Sequence, residues 1–433
     1  MNRPGVCSNQ DEQGQATRDS VERLFRHHSA QLVSTLARIF GLEHLDAVED
    51  AVQEAMVSAL RTWPHQGAPG NPPAWLFQVA RNQLRDRLRQ RFLWDEKSGE
   101  VERFTAFLSH AESSPPRFAQ EIEDDTLRMT FACCHPVIPR EGQVALNLKL
   151  VGGFGTREIA RAFLSNEVTI AQRIVRAKRR LRRADIRLEI PSSDELRSRL
   201  EPVLEVLYLL FNEGHSALEG AELVRMDLCH EAIRLCRLLA GHQLTSRPEV
   251  HALAALLLFQ AARLPARANA AGELLLLQEQ DRSAWDQQLI ALGVEHLQQA
   301  ATGNHLTDFH LEAEIAAHHT LADDFASTDW QCILDCYNAL MDRQPSPVVA
   351  LNRAVVLARV EGGEKALREL EVLAENRCLR AYAPFFTTRG EILRDLQCLD
   401  RAAADYQRAL ELTACEPVRR FLTQRLEEVL QQG

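Results

Sequence analysis

Residues 156–187 read TREIARAFLSNEVTIAQRIVRAKRRLRRADIR, a pattern that few folds accommodate. Ile170, Ile174, Ala177 and Leu181 recur every three or four positions, so one face of a helix from about Glu167 past Leu181 is apolar and seeks a core. A short helix is predicted over 156–163, with Leu164, Ser165 and Asn166 as a tight turn between the two. Helix, three-residue turn and amphipathic helix is the layout of a helix-turn-helix, whose second helix lies in a major groove. Thr169, Gln172, Arg173 and Arg176 fall off the apolar stripe and can donate to base edges or phosphates. Lys178, Arg179, Arg180, Arg182, Arg183 and Arg187 extend this into a cationic run suited to backbone phosphates, with salt-dependent affinity. A solvated basic helix in a bundle would carry the same pattern.

The net charge of −10 is unevenly spread. Residues 1–190 hold 27 Lys and Arg against 24 Asp and Glu, whereas residues 191–433 hold 23 against 36. An acidic C-terminal half is a poor nucleic-acid surface, so any DNA contact belongs to the first half. The length of 433 residues fits about three domains. There is no apolar run of about eighteen residues, so no membrane span or membrane partner is expected. The polar N-terminus lacks an apolar signal core, and ten scattered cysteines suit a reducing compartment, so the expected location is the cytoplasm.

Taken in order, residues 1–18 are polar and are expected to be disordered. A first helix is predicted over 20–40, with Leu24, Phe25, Leu32, Leu36, Ile39 and Phe40 on its apolar face and Gly41 as its stop. A second, over 46–63, sets Val48, Ala51, Val52, Ala55, Met56, Ala59 and Trp63 on one face. Asp46, Glu49, Asp50, Gln53 and Glu54 line the other, a pattern that solubility alone would explain. A Pro- and Gly-rich break over 64–73 leads to a helix over 74–92, with Leu76, Val79, Ala80, Leu84 and Leu88 inward and Arg81, Asn82, Arg85 and Arg89 outward. Such a face beside a loop suits unstacked bases, or only water.

Residues 95–125 carry nine acidic side chains against three basic ones and read as a linker, with helix resuming near Asp124. Cys133, Cys134 and His135 lack the further ligands that structural zinc needs, so small buried thiols are expected there. From Ser192 onward only helix is predicted. Ala354 and Ala366 stand twelve residues apart, as do Gly390 and Ala402, and the two pairs are offset by 36. Small residues at that spacing let antiparallel helices cross closely, and a period near thirty-four is that of tetratricopeptide hairpins. The chain has no P-loop, GxSxG or HExxH, so no enzyme activity, catalytic residue, cofactor or metal is expected.

Two blocks in the right order resemble bacterial sigma factors of the extracytoplasmic-function type, in the sigma-70 family. DAVEDAVQEAMVSALRTW with PPAWLFQVARNQLRDRLR resembles region 2, and GQVALNLKLVGGFGTREIARAFLSNEVTIAQRIVRAKRRLR resembles region 4. DDTLRMTFACCHP, LYLLFNEGHSA, ALNRAVVLA and RGEILRDL resemble a subgroup with a tetratricopeptide-like C-terminal extension.

The resemblance implies an all-α fold: a disordered N-terminus (1–18), region 2 as a helical bundle (19–94), an acidic linker (95–123), region 4 as a helix-turn-helix (124–190) and a helical solenoid-like domain (191–433). It implies a specificity subunit that binds core RNA polymerase, through the β′ clamp helices and the β flap, and directs initiation at promoter DNA. Asp46, Glu49, Asp50, Gln53 and Glu54 would contact the clamp helices. Residues 65–89 would read the −10 element, with Asn82, Arg85 and Arg89 near the strand and a base flipped into the loop. Ala171, Gln172, Val175 and Arg176 would meet −35 bases, with Arg173 and Lys178 near phosphates. The linker would thread the RNA exit path, where its charge imitates nucleic acid. The C-terminal domain would modulate activity, with a regulatory protein as its partner. The competing reading is a stand-alone helix-turn-helix regulator with a helical sensor domain, which needs no polymerase.

Overall fold

The computed structural model describes residues 28–67, 69–94, 118–163, 165–184, 186, 188–191, 193–215, 219–220, 226–269 and 274–432. Leu24, Phe25, Arg187 and the tract 95–117 lie outside them. The described residues are helical throughout, apart from one two-residue strand pair and short connecting turns. The chain divides into two compact units, residues 1–206 and 207–433.

In unit one, residues 28–40 form α1. Gly41 ends it at φ +91° and donates its N–H to the Ala37 carbonyl at 2.9 Å, a conformation that an L side chain strains against. A 3-10 turn, Leu42–His44, leads into α2 (Leu45–Gln66), and α3 is Pro72–Trp94. α2 runs past Trp63, where the sequence pattern stopped it, and closes at Gly67 with φ +81°. α3 begins ahead of Ala74 because Asn71 caps it: Asn71 Oδ1 accepts from the Ala74 N–H at 3.2 Å, and Pro72 fills the first turn. Leu36, Phe40, Val48, Val52, Leu76, Leu84 and Leu88 are buried, as their spacing predicted, and so is Leu45.

The next helices are α4 (Phe118–Cys133), α5 (Arg140–Leu150), α6 (Thr156–Ala162), α7 (Glu167–Arg183) and α8 (Ser193–His215), the last of which contains the unit boundary. α4 starts upstream of the expected Asp124. Asp125, counted above among the linker acids, is instead fully buried. It accepts from Arg38 Nε at 2.6 Å and Arg128 Nη1 at 2.8 Å, and so ties α4 to α1. Its carboxylate is a structural anchor and is not free to imitate nucleic acid.

Unit two holds α9 (Met226–Gly241), α10 (Pro248–Ala262), α11 (Gln287–Ala300), α12 (Asp308–Leu321), α13 (Trp330–Arg343), α14 (Pro347–Val360), α15 (Gly363–Leu373), α16 (Ala383–Asp395), α17 (Leu399–Leu412) and α18 (Glu416–Gln432). From α9 onward each helix packs on the next, and α10 is also covered by α12. Two stretches depart from the all-helix expectation. Glu219–Gly220 pairs in parallel with Ala414–Cys415. Between α10 and α11 the chain makes 3-10 turns and an Ala268–Leu274 bridge, because Pro265 interrupts the helix and Asp281 and Asp286 cap new starts.

The small residues of the repeat sit where helices cross. Ala354, Ala366 and Ala402 are fully buried, and a Cβ on Gly390 would stand 2.8 Å from the Tyr406 ring. α16 and α17 therefore approach closely because position 390 has no side chain. Gly390→Val is expected to destabilise unit two by about 1–3 kcal/mol through overpacking. Gly241→Ala, which meets nothing within 4 Å, should be neutral or slightly stabilising. Urea unfolding followed by circular dichroism checks both, and equal midpoints for the two variants would contradict the close crossing.

Candidate functional site

α6 and α7 lie where the apolar spacing placed two helices, and Leu164 of the expected turn is outside the described residues. Glu158 reaches back to the Gly155 N–H at 2.5 Å and fixes the start of α6. Asn166 caps α7, its Oδ1 accepting from the Thr169 N–H at 2.7 Å. Ile170, Ile174, Ala177 and Leu181 are all buried, and the stripe packs on α5, where Gly142 lies beside Ala177. Packing the stripe inward turns the opposite face to solvent. Gln172, Val175, Arg176, Arg179 and Arg183 are exposed, and Ala171 is half-buried. Val175 is 60% exposed, which leaves an apolar methyl surface between hydrogen-bond donors. Bare donors beside an apolar patch on one helix face are what base edges and thymine methyls require.

The remaining cations of α7 face protein. Arg173 pairs with Glu141 at 2.9 Å, and Arg180 donates to the Val137 carbonyl at 3.0 Å. Lys178 and Arg182 reach the acidic face of α2. Lys178 Nζ lies 2.9 Å from Asp46 and also binds Glu49, and Arg182 binds Asp46 at 2.6 Å. Lys178 and Glu49 are nearly buried, with side chains 12% and 10% exposed. Burial pulls the Lys178 ammonium down, but Glu49 and Asp46 outweigh it and hold it above its usual range. Burial likewise raises Asp46, yet hydrogen bonds and charge from Lys178 and Arg182 bring it below the ordinary carboxylate range.

The other predicted acids are held from within region 45–94. Arg87 of α3 binds Glu54 and lies 3.5 Å from Asp50, while Gln53 is exposed. Asn82 and Arg89 project from α3 into solvent, and Arg85 lies 3.9 Å from Asp86. Trp63 and Trp75 meet edge-to-face at 5.6 Å, joining the end of α2 to the start of α3 beside the Pro- and Gly-rich turn. The expected −10 residues thus share one helix face; of the expected −35 residues, Ala171, Gln172, Val175 and Arg176 lie together on another, whereas Arg173 and Lys178 are turned to Glu141 and to Glu49 and Asp46. The ion pairs between α7 and α2 were not anticipated. Opposite charges at 46, 49, 178 and 182 signal them only once the fold brings those positions together.

Cys133 and Cys134 are fully buried, and burial pushes both thiols up, Cys134 to about 12. Asn147 Nδ2 donates to Cys134 Sγ at 3.0 Å. A protonated, enclosed thiol is the opposite of a metal-ready thiolate, in keeping with the buried reading. Among the described residues, no helix is long and apolar enough to cross a membrane.

Comparison with known proteins fits this geometry. Residues 24–92 match Sigma-70 region 2, and residues 199–301 match a family of unknown function (DUF6596). An uncharacterized protein of Rhizobium meliloti (strain 1021) is 40% identical over 393 residues, which is 89% of this chain and 90% of that protein. The two proteins belong to one family. This chain joins a sigma-70 region 2 match at its N-terminal end to a helical C-terminal part that includes the match to the family of unknown function. The region 2 match covers α2 and α3, and so includes Asp46, Glu49, Asp50, Gln53, Glu54, Asn82, Arg85 and Arg89.

Lys178→Met would leave Glu49 enclosed without its cation and should cost unit one about 1–3 kcal/mol, read as a lower urea midpoint. The pH dependence follows from the two shifts. Asp46, held low, stabilises above its unfolded pKa, and this is lost as pH falls through the folded value. Lys178, held high, stabilises below its unfolded pKa, and this is lost as pH rises through the folded value. The contact should therefore persist across neutral pH and fade at both extremes. Asp46→Asn should blunt the acid-side loss, and an unchanged acid limb would show that Asp46 contributes nothing.

Proposed function

We propose that this chain is a sigma factor of the extracytoplasmic-function type, which binds core RNA polymerase and directs it to promoters. The match of residues 24–92 to sigma-70 region 2 carries the reading. In it, Asp46, Glu49, Asp50, Gln53 and Glu54 dock on the β′ clamp helices, and Asn82, Arg85 and Arg89 lie along the −10 strand. Residues 124–190 act as region 4. There Ala171, Gln172, Val175 and Arg176 read −35 bases, Arg173 and Lys178 neutralise phosphates, and the domain seats on the β flap. The solvent-facing row Gln172, Val175 and Arg176 on α7 supports this assignment. The role is specificity rather than catalysis, and the helical C-terminal part modulates it through a protein partner.

The free chain engages Asp46 and Glu49 with Lys178 and Arg182, so polymerase and promoter must compete with an internal contact. Binding to the clamp removes the acids from α7, and binding to DNA removes the cations from α2. Each event makes the other easier, since either one breaks the same pairs.

Run-off transcription with purified core polymerase and genomic fragments tests the proposal. Defined start sites are expected with the full chain. Arg176→Ala should weaken use of −35-dependent sites by about tenfold, consistent with loss of one base contact. Gln53→Ala should leave promoter choice intact while weakening assembly with core polymerase. If no start site is selected under any salt condition, the sigma reading is wrong.

A further inference from the structure

Unit two gathers cations where it holds few anions. Arg263 and Arg267 flank the 3-10 turn after α10, Arg282 and Trp285 lie on the segment before α11, His319 ends α12, and His215 ends α8. The guanidinium carbons of Arg263 and Arg282 lie 5.7 and 4.6 Å from the Trp285 ring centre. Arg282 Nη1 donates to the His319 and Ala322 carbonyls at 2.9 and 2.7 Å, and Arg267 donates to the His215 carbonyl. The Asp286 N–H binds the Ala262 carbonyl at 2.9 Å and clamps this segment to the end of α10.

This cluster holds unused polar atoms. Arg263 Nε, Arg282 Nη2, Trp285 Nε1 and His319 Nδ1 are all enclosed and have no hydrogen-bond partner among the described residues. Trp285 is 3% exposed. Among the described residues no carboxylate forms an ion pair with Arg263, Arg267 or Arg282; Asp323 and Asp324 act on Arg282 only through charge. The cost registers on the groups themselves. Burial, then Arg267 and Arg282, lowers Arg263 to about 10, and burial, then Arg263 and Arg282, brings His319 to about 3. Guanidiniums set around an indole with spare donors lose hydration and repel one another, and only an acceptor rich in lone pairs offsets both.

We propose that Arg263, Arg282, Trp285 and His319, with Arg267 behind them, form a binding site in unit two for a phosphoryl oxyanion of a small molecule. Arg263 and Arg282, both next to the Trp285 ring, supply charge and donors, and Trp285 adds an indole N–H. The site lies mostly within the stretch that matches the family of unknown function, and it is independent of the sigma reading of the N-terminal half.

Isothermal titration of the full chain at constant ionic strength, near neutral pH, tests it with inorganic phosphate, glycerol phosphate and chloride as probes. Saturable binding of at least one phosphate probe at one site is expected, with none for chloride. Tighter binding of glycerol phosphate than of inorganic phosphate identifies an ester as the source, and the reverse order identifies free phosphate. Arg263→Met and Arg282→Met should each weaken binding at least tenfold, with Arg263→Lys intermediate. In chloride buffer Arg263→Met should melt no lower than the parent chain, since an unpaired buried charge has gone. Three outcomes each overturn the site: no saturable phosphate binding, wild-type affinity in both Met variants, or a lower melting temperature for Arg263→Met in chloride that phosphate does not change. If Arg263→Met fails to fold, Arg263→Lys and Arg282→Met carry the same comparison.

Discussion

Lys178 sits between two carboxylates and joins α7 to the start of α2. Its neighbours Glu49 and Asp46 stand on the first turns of α2, while Lys178 itself belongs to the helix whose apolar stripe packs against α5. The pair with Glu49 is nearly enclosed, so water screens it little, whereas the Asp46 and Arg182 contacts are half-exposed and weaker. The consequence is a division of α7 into two charge rows. Lys178 and Arg182 are turned to protein, and Arg176, Arg179 and Arg183 remain available to a polyanion.

Most of unit one was legible from spacing. Three- and four-residue intervals of apolar side chains placed α2, α3, α7 and the described part of α1 and named most of their buried positions, with Ile39, Met56, Trp63 and Val79 only half-buried, because burial of one stripe is the main source of helix stability in a folded chain. The ends were less legible. Pro64 suggested a stop, yet the helix continues to a glycine with positive φ, and Asn71 starts the next helix earlier by capping it. Asp125 read as one more linker acid because charge counts carry no information on partners; only the approach of Arg38 reveals it as an internal anchor.

Candidate sites divided along the same line. The rows Gln172, Val175, Arg176 and Asn82, Arg85, Arg89 were readable because helical periodicity alone puts them on shared faces. The pairing of 178 and 182 with 46 and 49 was not, since more than a hundred residues separate them. The basic cluster of unit two was invisible for a further reason. Its members come from the ends of three helices and an irregular segment, and no local period connects Arg263, Arg282 and His319. In the repeat, by contrast, Gly390 and Ala402 stood out because close helix crossings select small side chains at fixed intervals.

The anchor at Asp125 has a mechanical meaning. α4 is tied to α1 through Asp125, which accepts from Arg38 of α1 and from Arg128 one turn on in α4 itself, and beyond its C-terminal end Gln143 of α5 locks the turn by donating to the carbonyls of Cys134, His135 and Ile138. α5 packs on both α4 and α7, so the three helices and Arg38 form one continuous run of contacts. Separating α7 from α2 therefore breaks the Lys178 and Arg182 pairs together while the Arg38 and Gln143 contacts can stay closed.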